Sequence, residues 1–180
     1  STLKKHFGEL PIIAEDLGVI TKEVEKLRDD YDFPGMKILQ FAFDGDADAG
    51  FLPHNYDKNC VVYTGSHDND TTIGWYKQYM IDFPERAETV KKYTNSNGWE
   101  INWILIRLAL SSVAVMAVIP MQDLLGLDKE ARMNFPGKPH DNWQWRYNKN
   151  QLNDQIAIRY KELLSIYGRI ELPKKNLKKV

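Results

Sequence analysis

The chain has 180 residues, of which 43% are hydrophobic and 27% are charged, as is ordinary for a soluble globular protein. Its 24 basic and 25 acidic side chains give a formal net charge of −1, so no global field would attract nucleic acid or an anionic membrane. Cys60 is the only cysteine, which excludes an intrachain disulfide and favours a reducing, cytoplasmic setting. No apolar run approaches the roughly 20 residues that span a bilayer, and the length suits one domain over residues 1–180.

Four short apolar runs predict strands that are covered on both faces, as in a parallel sheet. They lie at residues 10–14, 38–43, 61–64 and 113–119. Polar and acidic residues follow each run, beginning with Glu15, Asp44, Ser66 and Gln122. Because parallel α/β folds build active sites at the carboxyl ends of their strands, we expect a site at this edge.

Helical patterns fill the intervals between the strands. Thr21 is expected to cap a helix that begins at Lys22, and a second helical region covers 72–92 with an interruption near Pro84. Apolar spacing predicts a third helix from Ile101, and a final helix occupies about 152–167, before Gly168. The order predicts an α/β fold with about four parallel strands, which is half of an eight-stranded (β/α)8 barrel with two unpaired sheet edges.

Two carboxylates end predicted strands, Glu15 on the first and Asp68 on the third. In a closed barrel, strand ends that are distant in sequence converge, so both could face one ligand. Glycoside chemistry needs such convergence, because one carboxyl donates a proton and another meets the developing positive charge. From spacing alone, acids at strand ends are more often helix caps or surface groups.

The segment around His67 and Asp68 has three interpretations. An Asx turn, in which Asp70 or the next residue caps a helix, accounts for Asp70 but not for His67 and Asp68. A metal-dependent hydrolase would instead place His67, Asp68, Asp70 and Glu15 around a divalent cation. A glycan site would use them with nearby aromatic rings, although we expect Trp143 and Trp145 to seal the barrel base against the last helix.

Seven segments occur in order along the chain: IAEDLGVIT (13–21), FPGMKILQFAF (33–43), PHNY (53–56), YTGSHDNDTT (63–72), PMQD (120–123), EARMN (130–134) and NWQWR (142–146). Together they resemble the 4-α-glucanotransferase family that includes amylomaltase and plant disproportionating enzyme. The resemblance covers nearly the whole chain and stops at about residue 150.

The resemblance implies the C-terminal half of a TIM (β/α)8 barrel from an enzyme that transfers α-1,4-glucan segments between maltooligosaccharides, or starch- and glycogen-derived glucans, by a retaining double displacement. It implies no metal and no organic cofactor. Glu15 matches the family's general acid/base and Asp68 its transition-state stabiliser. The expected substrate-binding residues are His67, Asn69 and Asn134, which match positions that hold sugar hydroxyls, and His54 and Asn55 at the edge of the site.

The family's nucleophilic aspartate lies on the strand before Glu15, and residues 1–14 contain no aspartate. The 180-residue chain is therefore expected to be an inactive fragment, because retention requires a covalent intermediate. Its open sheet edges also predict a homodimer. The remaining alternatives are a non-catalytic glycan-binding module and the metal-dependent hydrolase built on His67 and Asp68.

Overall fold

The computed structural model describes residues 5, 6, 8 and 11–170. Within them, a parallel sheet contains the strands β1 (Gly35–Ile38), β2 (Cys60–Tyr63) and β3 (Met116–Val118), in the order β1-β2-β3. Ile38 pairs with Tyr63, and Tyr63 pairs with Val118. The last residues of all three strands thus lie side by side, which places the segments that follow them along one edge of the sheet.

Six helices surround this sheet in the described part of the chain: α1 (Lys22–Asp30), α2 (Thr72–Asp82), α3 (Pro84–Thr94), α4 (Ile101–Ser111), α5 (Met121–Leu124) and α6 (Asp154–Ile166). The break between α2 and α3 falls at Pro84, as predicted, because proline fits the first turn of a helix but not its interior. After α6, Gly168 has a φ of 64°, a conformation that glycine adopts without strain. No helix among these is long and apolar enough to cross a membrane.

The core forms where α4 packs between the sheet and α6. Leu105 of α4 belongs to one buried apolar cluster with Val62 of β2, whereas Ile106 joins a second cluster with Leu163 of α6. Both α4 residues are fully buried, and each such side chain contributes about 1.5–3 kcal/mol to folding. Burial on both faces explains why β2 reads as a continuous apolar run.

The strand predicted at 10–14 is not found: Leu10 lies outside the described residues, and residues 11–14 form no strand. The Ala14 N–H donates one 2.9 Å hydrogen bond to the carbonyl of Pro34, as between paired strands. Pro34 has no backbone N–H with which to donate a second one. The next donor along β1, the Met36 N–H, is bound by the Asp16 carboxylate at 2.7 Å. A side chain thus takes the position of a backbone partner.

The strand predicted at 38–43 is also wrong in its extent, because β1 ends at Ile38 and Leu39–Phe41 form a 3-10 turn. Ile38 and Leu39, on either side of the boundary, are both fully buried, so one apolar run crosses it without a change in pattern. The third and fourth predicted strands correspond to β2 and, over a shorter range, β3. The described fold is therefore an α/β fold with a three-stranded parallel sheet rather than the predicted four strands.

Candidate functional site

The loop after β2 carries His67, Asp68 and Asn69. Near its start, Gly65 leaves space that the Gln40 side chain occupies. A Cβ added to Gly65 would lie 2.5 Å from Nε2 of Gln40, so any larger residue there would displace this amide. Nε2 of Gln40 donates a 2.8 Å hydrogen bond to the Asp70 carbonyl. The absence of a side chain at Gly65 thus allows Gln40 to bind Asp70 at the other end of the loop.

Hydrogen bonds between Ser66 and the Asn69 side chain hold the inside of the same loop. The Oδ1 atom of Asn69 accepts hydrogen bonds from the Ser66 N–H at 2.9 Å and from the Ser66 hydroxyl at 2.7 Å. The Ser66 Oγ in turn accepts from the Asp68 N–H at 3.3 Å. Ser66 and Asn69 therefore form the frame of the turn, and His67 and Asp68 form its tip.

Asp68 is bound to a segment that lies far away in sequence. Nδ2 of Asn134 donates a 2.6 Å hydrogen bond to Oδ1 of Asp68, and Nη2 of Arg132 donates a 2.6 Å hydrogen bond to the Asp68 carbonyl. Nε of Arg132 also binds the Asn134 carbonyl at 2.8 Å. Arg132 thus holds both partners, while the Asp68 side chain stays 51% exposed to a ligand. The sequence interpretation had included Asn134 but assigned no role to Arg132.

Two rings form a platform beside this carboxylate. The His67 and Trp143 ring centroids lie 4.9 Å apart, and Nε2 of His67 is 3.4 Å from Oδ1 of Asp68. Trp143 is 52% exposed, and its backbone N–H donates a 2.8 Å hydrogen bond to the Met133 carbonyl. The expectation that Trp143 seals the barrel base is wrong, because the ring lies at the carboxyl edge of the sheet. Its pairing with His67 is a tertiary contact that local sequence does not encode.

A cleft of about 230 Å³ opens between the ends of β2 and β3. Its walls combine polar, aromatic and aliphatic side chains, a composition that suits a sugar ring with apolar faces and hydroxyl edges. The residues around its mouth are His67, Asn69, Asp70, Arg132, Met133 and Trp143.

Beneath the cleft, the buried carboxylate of Asp123 joins the end of β2 to the start of α2. Oδ2 accepts the Thr64 hydroxyl at 2.5 Å and the Thr72 hydroxyl at 2.8 Å, and Oδ1 accepts the Thr72 N–H at 2.7 Å. Burial raises the pKa of Asp123, opposed by these hydrogen bonds. Burial likewise raises the pKa of the half-buried Asp70. Asp123 fixes the loop from below and was not recognised from sequence.

Glu15 follows the extended segment beside β1. Its exposed carboxylate accepts a 2.8 Å hydrogen bond from the Leu17 N–H two residues later. Among the described residues, no hydrogen bond or ion pair joins Glu15 to Asp68. The structure therefore assembles the Asp68 half of the predicted pair with its partners and leaves Glu15 as a separate, accessible carboxylate.

His54 and Asn55 lie in a different cluster, on the loop between β1 and β2. The His54 ring nitrogens contact the Tyr93 hydroxyl and the Ala47 carbonyl, each at 2.9 Å. Nδ2 of Asn55 donates to the carbonyls of Ala47 and Ala49. Their described contacts hold this loop, and none reaches His67 or Asp68, so their role in substrate binding stays a prediction.

The geometry of the described residues supports neither a metal site nor an active site in the larger cavity between the helices. In residues 5, 6, 8 and 11–170, no three His, Cys, Asp or Glu side chains are grouped so as to hold a metal ion, as the metal-dependent hydrolase requires. A larger cavity of about 890 Å³ lies between α2, α4 and α6. The carboxylate on its described wall, Glu100, is already paired with Arg159 at 2.6 Å.

Known proteins resemble this chain over most of its length. Residues 1–152 match the family model described as 4-alpha-glucanotransferase. Curated 4-alpha-glucanotransferases are 52% identical over 169 residues in Synechocystis sp. and 46% identical over 176 residues in Thermus thermophilus. Each alignment covers 93% of this chain but only 33% and 35% of those proteins, so the chain spans about a third of their length.

Solved structures give the same result. The amylomaltase from Streptococcus agalactiae in complex with acarbose superposes with a TM-score of 0.86 at 36% identity, covering 93% of this chain and 34% of that one. The amylomaltase from Corynebacterium glutamicum has a TM-score of 0.62 at 16% identity, covering 89% and 29%, and shows likeness of fold alone.

Proposed function

This chain belongs to the 4-alpha-glucanotransferase family, and we propose that it supplies part of the active site of an enzyme that transfers α-1,4-glucan segments between maltooligosaccharides. The observation that carries the proposal is the Asp68–Asn134 hydrogen bond beside the His67–Trp143 platform. An exposed carboxylate, an oriented amide and a flat ring surface are the groups needed to bind a sugar and to stabilise positive charge at its anomeric carbon.

In this proposal Glu15 is the general acid and base of a retaining double displacement. It would protonate the departing glycosidic oxygen and later remove the proton of the incoming 4-hydroxyl. The Glu15 carboxylate is exposed and its described contact is a single hydrogen bond with its own loop, so a substrate oxygen can reach it.

Asp68 would stay ionised and face the oxocarbenium-like transition state. The short hydrogen bond from Asn134 is charge-assisted and fixes the carboxylate orientation without neutralising it. His67, Asn69 and Asn134 would bind sugar hydroxyls, and Nδ2 of Asn69 has no hydrogen-bond partner among the described residues, because Oδ1 alone frames the turn.

The nucleophilic aspartate would come from outside residues 1–180, as the family resemblance implies. We therefore expect this chain, incubated alone with maltotriose, to release neither glucose nor longer oligosaccharides. Products whose formation is lost in Glu15→Gln would contradict this expectation, since another carboxylate would then be acting as the nucleophile.

A hybrid protein tests the assigned roles directly. The matching third of the Synechocystis sp. relative would be replaced by this chain, and maltotriose disproportionation would be measured. Glu15→Gln and Asp68→Asn should each lower kcat by at least about 100-fold, the usual contribution of a general acid or of an electrostatic stabiliser. Glu25→Gln on the exposed face of α1 is the matched control. A folded hybrid that keeps full activity with Glu15→Gln would refute the proposal.

We also propose that two copies associate through sheet edges. Beside β3, Val113, Val115 and Met116 are about half exposed, and a free strand edge offers unpaired N–H and C=O groups. Sedimentation of the chain at tens of micromolar should give a dimer mass, and a monomer mass would reject the association.

The predicted cytoplasmic setting stays a prediction.

A further inference from the structure

We propose that Asp16 is a positioning residue for Glu15, and that Arg28 and Gly35 act with it as one device, named here the Asp16 clamp. The inference rests on the proposed role of Glu15 as acid and base. Glu15 carries out the chemical step, and Asp16, its neighbour in the sequence, fixes the orientation of the Glu15 carboxylate.

The clamp joins three elements through one buried carboxylate. Nη1 of Arg28, in α1, donates a 2.6 Å hydrogen bond to Oδ2 of Asp16, and the Met36 N–H, in β1, donates to Oδ1 at 2.7 Å. The Asp16 side chain is 8% exposed. Charge-assisted hydrogen bonds on both oxygens leave Asp16 few other orientations, so its backbone is fixed against the sheet.

Adjacent side chains on extended backbone point to opposite sides. Residues 11–16 alternate strictly between exposed and partly buried, with Glu15 exposed and Asp16 inside. Ala14, which points to the same side as Asp16, anchors the segment from the other direction by its hydrogen bond to the Pro34 carbonyl. Holding Asp16 inward therefore holds Glu15 outward.

Gly35 provides independent support for the clamp. A Cβ on Gly35 would lie 2.4 Å from Oδ2 of Asp16 and 3.0 Å from Nη1 of Arg28. The first residue of β1 must therefore lack a side chain for the ion pair to fit. Glycine is present there although it weakens a strand.

The experiment uses the hybrid protein and two reactions that differ in their need for Glu15. Transfer from maltotriose needs a proton on the leaving oxygen. In the second reaction, α-maltosyl fluoride loses fluoride as the enzyme's carboxylate forms a bond to the anomeric carbon, and azide then displaces that carboxylate. Neither of these steps needs an acid or a base, so the second reaction bypasses Glu15.

Asp16→Asn should lower kcat with maltotriose by about 100-fold, the effect expected of a misplaced catalytic group, and should retain fluoride-plus-azide turnover within about threefold of the parent. Gly35→Ala should show the same pattern, because it expels the carboxylate. Two matched controls should leave both reactions unchanged. Asp30→Asn removes an exposed ion pair of the same helix, with Lys26 at 2.8 Å, and Gly50→Ala adds a Cβ whose nearest neighbour is 3.7 Å away.

The outcomes separate the two proposals. If Glu15→Gln leaves maltotriose transfer intact, the proposed function fails. If Glu15→Gln abolishes maltotriose transfer while Asp16→Asn has no effect, or lowers both reactions equally, the positioning role fails. In the 180-residue chain itself, Asp16→Ala should speed amide hydrogen exchange at Met36 at least tenfold and leave Val62 unchanged, and an unchanged rate at Met36 would also overturn the clamp.

Discussion

The side-chain amide of Asn134 hydrogen-bonds the carboxylate of Asp68 at 2.6 Å, across 66 positions of sequence. Arg132 binds the backbone carbonyls of both residues, so the two segments move together. The amide donates to an ionised oxygen, which is the stronger class of hydrogen bond.

Removing this amide should impair the transition state more than the ground state. In the hybrid protein, we expect Asn134→Ala to lower kcat/KM for maltotriose by about 10- to 100-fold, since hydrogen bonds to charged groups are worth about 1.5–3 kcal/mol. Asn134→Asp should be worse, because two carboxylates would repel each other. Asn150→Ala, in the exposed Lys149–Gln151 turn, is the control. Equal kcat/KM for all three variants would contradict the role of Asn134.

Trp143 should contribute to binding rather than to chemistry. Its ring packs against His67 at a tilt of 39° and is about half exposed, so Trp143→Ala should raise KM for maltotriose about three- to tenfold with kcat nearly unchanged. Trp143→Phe should retain most of the affinity. Trp99 is more exposed, at 79%, and lies on the larger cavity away from the cleft, so Trp99→Ala tests whether loss of any exposed tryptophan has this effect.

Gly65→Ala should destabilise the 180-residue chain. The new Cβ would meet Nε2 of Gln40 at 2.5 Å and break its hydrogen bond to the Asp70 carbonyl. We expect a loss of about 1–3 kcal/mol, measured by urea unfolding, as for other overpacked sites. Gly50→Ala, which meets its nearest neighbour at 3.7 Å, should change the free energy of unfolding little. Identical urea midpoints for the two variants would show that the loop tolerates the displacement.

Asp123 should make stability fall as pH rises. Its pKa is raised in the folded chain by burial, so the folded state holds a proton that the unfolded state has already lost. The free energy of unfolding then declines as pH climbs from the unfolded pKa, about 3.9, through the higher folded value.

Urea unfolding between pH 4 and 8 measures this decline. Asp123→Asn cannot titrate and still offers an oxygen to the Thr72 N–H, so its profile should lack this component. Asp82→Asn removes an exposed carboxylate of α2 and should retain the decline of the parent chain. Parallel profiles for the parent and Asp123→Asn would contradict the assignment.

The elements that the sequence predicted well are those whose causes are local. Pro84 breaks one helix and starts the next, and the apolar spacing after Ile101 marks the face of α4 that becomes buried. The run at 38–43 was wrong in its extent for an equally local reason: Ile38 ends β1, Leu39 begins the 3-10 turn and both are fully buried, so the apolar pattern does not mark the change.

The missed site residues depend on contacts across the fold. Arg132 reaches the Asp68 carbonyl over 64 positions, and Asp123 reaches Thr64 over 59. A single buried acid after an apolar strand gives no local sign of the hydroxyls that it will meet. His67, Asp68, Asn69 and Asn134 were identified by family resemblance, and composition and spacing alone had left a turn and a metal site open.

Trp143 holds its ring over His67 with a backbone φ of 64°, where a residue with a side chain is strained by about 1–2 kcal/mol. Glycine would relieve that strain and remove the ring. About half of the Trp143 side chain is buried, which contributes about 2–3 kcal/mol and exceeds the cost of the strained backbone. W143G should therefore lower both the thermal tolerance of this chain and the maltotriose affinity of the hybrid.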